Sequence, residues 1–116
     1  MPLEDCDRQI LESALAAPGA GWGGTEKYPD LPSKAGVLLY ALAKSQACKR
    51  DGNKRIALLL TEAFVEINGA ALAVTRGQLA RLIIETAESD PGERERVVGS
   101  LGEWFAAYVE YPETAT

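Results

Sequence analysis

The stretch from Asp51 to Gly69, DGNKRIALLLTEAFVEING, decides how the chain is read. From Asn53 onward, Ile56, Leu59, Leu60, Ala63, Phe64 and Ile67 return every three or four residues, the period of one helix face. Asn68-Gly69 then supplies a stop, because glycine enters the left-handed conformation at a helix end without steric cost. A helix starting near Asn53 and ending at this pair is the first element predicted.

Downstream, Thr75 with Gln78 has the spacing of a capping box and opens a further helix through Leu79, Leu82, Ile83 and Ala87. Asp90-Pro91 caps and starts the next, with Glu93 in the first turn, where the helix dipole favours negative charge. Ser100 with Glu103 offers one more box, so the last region reads as two short helices, with Val97, Leu101, Trp104, Phe105 and Tyr108 inward. The tail at 112–116 is expected to fray. Upstream, Ser33 reads as the N-cap of a helix carrying Val37, Leu38, Tyr40, Leu42 and Ala43. The segment 18–32 opens with PGAGWGG and reads as an exposed loop or small hairpin. Before it, Asp5 is the expected cap of a helix with Ile10, Leu11, Ala14 and Leu15 at helical spacing. Strand-like alternation is nearly absent outside the Tyr28 region. The fold class predicted is all-α: one compact helical bundle over residues 1–116, with loops at 18–32 and 45–52.

With 116 residues, 47% hydrophobic and 25% charged, the chain has the composition of one globular domain with a core of its own. The net charge of −5 argues against duplex nucleic acid, since neutralising phosphates needs clustered Lys and Arg. The one basic cluster, Lys49-Arg50 with Lys54-Arg55, is local and suits a single phosphate group better than a polymer. No apolar run is long enough to cross a membrane, and the start, MPLEDCDRQ, has no basic region leading into an apolar one. Cys6 and Cys48 match no local pairing pattern and are expected as free thiols in a reducing, cytoplasmic setting. Histidine is absent, which removes imidazole general-base chemistry, Ser/His and Cys/His nucleophile pairs and His-containing zinc sites.

The loop at 45–55 carries the chemistry. A glycine directly before a helix lets a ligand approach the backbone, and the first amides of a helix are unpaired donors. Gly52 and the residues after it therefore form an anion cradle. Arg55 offers a bidentate grip on phosphate and Lys54 a point charge. Asn53 can cap the helix or bond a phosphate oxygen. Asp51 has the hard oxygen ligands that Mg²⁺ takes beside phosphates. The same five residues also make an ordinary turn and cap with a solvated Lys-Arg pair, and on their own they leave both readings open. Glu62 and Glu66, one helix turn apart, read as a solvated face.

The run Asp51-Gly52-Asn53-Lys54-Arg55-Ile56-Ala57-Leu58 resembles the core motif of the Fic/Doc family: His, any residue, Phe, two residues (the second usually Asp or Glu), Gly or Ala, Asn, Lys or Gly, Arg. The likeness extends outward through Leu11-Glu12-Ser13-Ala14-Leu15, the glycine-aromatic-glycine loop with Tyr28-Pro29, Lys34-Ala35, Leu42-Ala43-Lys44, and Phe64 to Asn68-Gly69. It covers roughly Asp7 to Gly69. Lys54 in place of the motif's second glycine resembles the Doc branch. The resemblance implies a helical core with a short flap hairpin that docks a target segment, here Trp22, Gly23, Gly24 and Tyr28. It also implies ATP with Mg²⁺ as cofactors, and transfer of AMP or, in the Doc branch, phosphate to a protein hydroxyl. The partners it implies are a translation factor as target and an antitoxin that restrains the toxin.

The pattern departs from the family at its base. Aligned on Gly52-Asn53, Ala47 stands where the family has histidine and Lys49 where it has phenylalanine. A one-residue insertion places Gln46 and Cys48 there instead. The second register is preferred, because Lys49 at an apolar anchor would bury a charge. Neither Gln46 nor Ala47 can take the proton from a target hydroxyl, a role worth about 10²–10⁴ in rate. Cys48 as a nucleophile would need a depressed pKa, which Lys49 and Arg50 favour; a small packing residue is the plainer role. Three functions fit these residues: a catalytically impaired Fic/Doc protein that keeps its phosphate loop, an active Doc-like phosphotransferase toxin, and a non-enzymatic helical interaction module.

Overall fold

The computed structural model describes residues 6–19, 21–22, 25–46, 48 and 52–112. Five helices carry the fold: α1 (Arg8–Ala16), α2 (Leu31–Lys44), α3 (Gly52–Ile67), α4 (Arg76–Ala87) and α5 (Arg94–Tyr108). Two two-stranded ribbons accompany them, β1 (Gly21–Trp22) with β2 (Thr25–Glu26) and β3 (Ala71–Leu72) with β4 (Val109–Glu110). The all-α class expected from the periodicity is what the structure shows.

Helix α2 is the centre. Ala35, Val37, Leu38, Leu39 and Leu42 are all at or below 1% exposure, and such a run of enclosed neighbours requires cover on every side. α5, α3, α4 and α1 supply it. The tightest crossing is with α5. A Cβ on Gly36 would stand 2.8 Å from the backbone nitrogen of Gly102 and 3.1 Å from the carbonyl carbon of Leu101, so only glycine permits this approach. Phe105, fully enclosed, fills the space beside it and meets Trp104 edge-on at 5.0 Å.

Several helix ends differ from expectation. Asp7 caps α1 by accepting from the Ile10 amide at 3.2 Å; Asp5 lies outside the described residues. α2 is capped by Asp30, which accepts from the Ser33 amide at 2.8 Å, so Ser33 sits inside the first turn. The cause is Pro32, whose missing N–H and fixed φ suit the first turn of a helix and move the cap upstream. α5 runs unbroken through Ser100, because it packs along α2, with Gly102 against Ser33, while a Cβ on Gly99 would meet open space. On α3 the buried residues include Ile56, Ala57, Thr61 and Val65, whereas Leu59 and Ile67 are 44% and 83% exposed. The apolar stripe is rotated from the expected one because the short Ala57 and Thr61 are what the bundle encloses. Tyr108 is 41% exposed rather than inward.

Other local signals match the structure. Gly69 takes φ +80° after α3. Thr75 and Gln78 form the reciprocal capping box of α4. Asp90 caps the short 3-10 turn Pro91–Glu93 that leads into α5. Lys44, at the end of α2, donates to the carbonyls of Ala87 (3.3 Å) and Ser89. It thereby satisfies the C-terminal end of α4, where a cation also suits the helix dipole. None of the described helices is long and apolar enough to cross a membrane.

Candidate functional site at the start of helix α3

The loop before α3 is built on an element that the sequence concealed. Cys6 and Cys48 are joined as a disulfide and pair as an isolated antiparallel bridge. This overturns the expectation of two free thiols. Cys48 is 5% exposed and packs with Ile56 (4%), Leu11 and Leu60 in a small apolar cluster that borders the main core through Leu11 and Leu60. That niche is the environment an anchor residue needs, and a sulfur held in a disulfide is no nucleophile. The link spans 42 residues, across α1, the β1–β2 hairpin and α2, which no local spacing rule could reveal.

Residue 48 is tied to the helix start as well. Its amide donates to Oδ1 of Asn53 at 2.8 Å. Asn53 therefore braces the preceding loop with its oxygen, while its Nδ2 donors have no partner among the described residues. α3 begins at Gly52, which is buried. The first amides of the helix lack intrahelical acceptors by construction. Lys54 and Arg55 come next, both exposed. Among the described residues neither has an ion-pair or hydrogen-bond partner. The structure thus brings Gly52, Asn53, Lys54 and Arg55 together on one turn with two exposed cations. Gln46, at the preferred histidine position, is exposed. Ala47 and Asp51 lie outside the described residues, as do Lys49 and Arg50, and among those described no group of three metal-ligating side chains occurs.

The expected flap is a hairpin. Gly21 pairs with Glu26 and Trp22 with Thr25; Gly23 and Gly24, between them, lie outside the described residues. Tyr28 is 8% exposed and belongs to the main core, where it anchors the end of the hairpin. The Tyr28 hydroxyl beside Arg94 on α5, with Glu95 adding to it, holds the guanidinium pKa above its usual value despite partial burial, and Arg94 donates to Glu95 Oε1 at 2.8 Å. Arg94 also lies over the Tyr40 ring, 5.5 Å from its centroid.

Glu62 is a correction. It is not on a solvated face: Oε2 pairs with Arg76 Nε at 3.1 Å, and Oε1 is buried without a partner among the described residues. Glu66 is exposed, as expected. A hollow of about 470 Å³ lies well away in sequence, between α4 and α5, lined by Thr75, Gln78, Arg81, Trp104 and Tyr108 among others. It draws on none of the motif residues.

An all-helical bundle with a short hairpin and a glycine-opened helix bearing Asn-Lys-Arg is the frame that the Fic/Doc resemblance calls for. The Doc-like likeness is borne out by a curated relative. Over 67 residues the chain is 43% identical to the protein named Toxin Doc of Mycolicibacterium smegmatis (strain ATCC 700084 / mc(2)155), a stretch covering 58% of this chain and 51% of that protein. The chain thus spans about half the length of the curated relative it matches. No family model matches the chain, and no solved structure matches it.

Proposed function

We propose that this chain is a Doc-like toxin-family protein that binds the phosphates of ATP at the start of α3 and is impaired in group transfer. The observation that carries the reading is the turn Gly52-Asn53-Lys54-Arg55, with free helix amides and two exposed cations that have no partner among the described residues. A phosphoryl group fits such a turn: amides and Asn53 Nδ2 donate to its oxygens, Arg55 grips two of them, and Lys54 adds charge. Mg²⁺, which neutralises developing charge on phosphate oxygens when bound, would rest on Asp51. Ancestrally the site would move AMP or phosphate to a protein hydroxyl. With Gln46 or Ala47 in place of histidine, no side chain at that position can accept the hydroxyl proton, and the rate falls accordingly.

The test is calorimetry with ATP and Mg²⁺. Wild type should bind, and Arg55→Ala should bind about tenfold or more weakly, the worth of a charge-assisted contact. No binding by wild type removes the reading.

One observation favours a second version, an active phosphotransferase toxin acting on a translation factor and restrained by an antitoxin: the relative is named a toxin. Positioning and charge stabilisation alone still accelerate transfer. Expression should then arrest growth, with the arrest lost in Arg55→Ala; normal growth on expression of wild type argues for the impaired form.

A further inference from the structure

Outside the phosphate-binding turn, one group has no place in the proposed chemistry: the disulfide beneath it. We propose that Cys6–Cys48 is a redox latch, which when oxidised clamps residue 48 and the first turn of α3 against α1, and when reduced by a dithiol releases them.

Three observations carry this. The bond joins the segment before α1 to the segment before α3, and its two cysteines also pair as an isolated antiparallel bridge. Leu11 of α1 and Ile56 and Leu60 of α3 close around it, with Leu11 and Leu60 also reaching the main core, so the disulfide is the covalent centre of that contact. Finally, the Cys48 amide donates to Asn53 Oδ1, which connects the sulfur link directly to the helix start. With the bond cut, a five-residue apolar cluster, that bridge and one side-chain hydrogen bond are the described contacts left at this corner, with Leu11 and Leu60 tying it to the main core. Small, partly exposed clusters of that kind are the first parts of a protein to open.

The chemistry balances with a dithiol as reductant. Cys6 is half-buried and Cys48 nearly enclosed, so the attacking thiolate reaches Cys6 Sγ. The Cys6–Cys48 bond breaks, a mixed disulfide forms at Cys6, and Cys48 leaves as a thiolate that takes up a proton. The second thiol of the reductant then attacks its own sulfur in the mixed disulfide. Cys6 leaves as a thiol and the reductant departs as a cyclic disulfide. Two electrons and two protons pass to the protein. The chain has two cysteines, so a dithiol has no other target in it. For any consequence at the anion site the latch rests on the function proposed above; for its own existence it does not.

Hydrogen–deuterium exchange tests it on the full chain, at labelling times short enough that the core of α2 and α5 stays protected. Reduction with dithiothreitol should speed exchange at α1, residue 48 and the amides of Ile56 and Ala57, which bond back onto the first turn of α3, on the order of tenfold, and leave α5 unchanged. The double variant Cys6→Ser with Cys48→Ser should show the fast pattern with or without dithiothreitol. After reduction, iodoacetamide should label Cys6 before Cys48. Equal protection in oxidised and reduced wild type overturns the latch. So does acceleration spread evenly into α5, or a dithiothreitol response that persists in the double variant. The wild-type comparison decides the matter even where the double variant fails to fold. Because the readout involves no ATP, it stands or falls separately from the anion-site reading.

Discussion

The α2–α5 crossing and the corner at the start of α3 are stabilised in opposite ways. At the crossing, Gly36 meets the backbone of Leu101 and Gly102, and Phe105 is fully enclosed. Shape complementarity holds the two helices at that closest approach. At the corner, Cys48, Ile56, Leu11, Leu60 and Cys6 make a satellite cluster with a disulfide through it, and exposed cations lie directly beyond. Close packing leaves no room for a ligand, and an anion site needs open amides and unneutralised charge. A small bundle can hold both only by keeping them apart. The corner then has a smaller apolar cluster than the crossing, and a cross-link compensates by restricting the unfolded chain.

The contrast breaks hardest at Phe105. Phe105→Ala should cost about 3–5 kcal/mol, the usual penalty for an enclosed ring, read as a fall in denaturant midpoint with unchanged slope. A cost near that of a surface substitution would mean the crossing is not the stabilising half. Removing the disulfide by the double serine substitution comes next, at about 2–4 kcal/mol, because the bond closes a long segment and removes conformations from the unfolded chain. A shift in thermal midpoint on adding dithiothreitol to wild type should match it. A smaller shift than for Phe105→Ala, combined with the local exchange change, sharpens the comparison: the corner is tethered rather than packed.

Legibility in the sequence divides along the same line. The helices, the Gly69 stop, the Thr75–Gln78 box and the Asp90 cap are set by neighbours within four residues, and they read directly. Ser33 looks like a cap because Ser, Asp and Asn all serve there, and only the proline between Asp30 and Ser33 decides. The burial of Ala57 and Thr61 in place of Leu59 and Ile67 is hidden, since hydrophobicity alone ranks those pairs the wrong way. The Cys6–Cys48 link depends on the path of the whole chain between them, so no local pattern announces it. Of the candidate site, Gly52, Asn53, Lys54 and Arg55 are visible because a helix start is a local feature. The bracing of Asn53 against the Cys48 amide is not, because the loop between them has no regular period.

Gly36→Ala gives a narrower test of the crossing. A methyl 2.8 Å from a backbone nitrogen cannot be relieved by turning a side chain; the helices must separate. Alanine favours a helix over glycine by about 1 kcal/mol, and overpacking costs about 1–3 kcal/mol. The net expectation is destabilisation by up to about 2 kcal/mol in the same denaturant assay. A stabilised variant would show that α2 and α5 have slack and that the packed half is looser than the geometry indicates.

The smallest effect expected is at Ile67, and its size is the point. This residue carries the period of the α3 stripe in the sequence, yet it is 83% exposed. If the rotated face is right, Ile67→Lys removes little buried surface and should change stability by less than about 0.5 kcal/mol. Ile56→Ala, near the other end of the same helix, should cost about 2–5 kcal/mol because Ile56 is enclosed in the disulfide cluster. The ratio of the two separates the observed register from the one that apolar spacing suggests. A loss at Ile67 as large as the one at Ile56 would turn α3 back by part of a turn to the register that apolar spacing suggests, carrying Lys54 and Arg55 off the face on which the anion site depends.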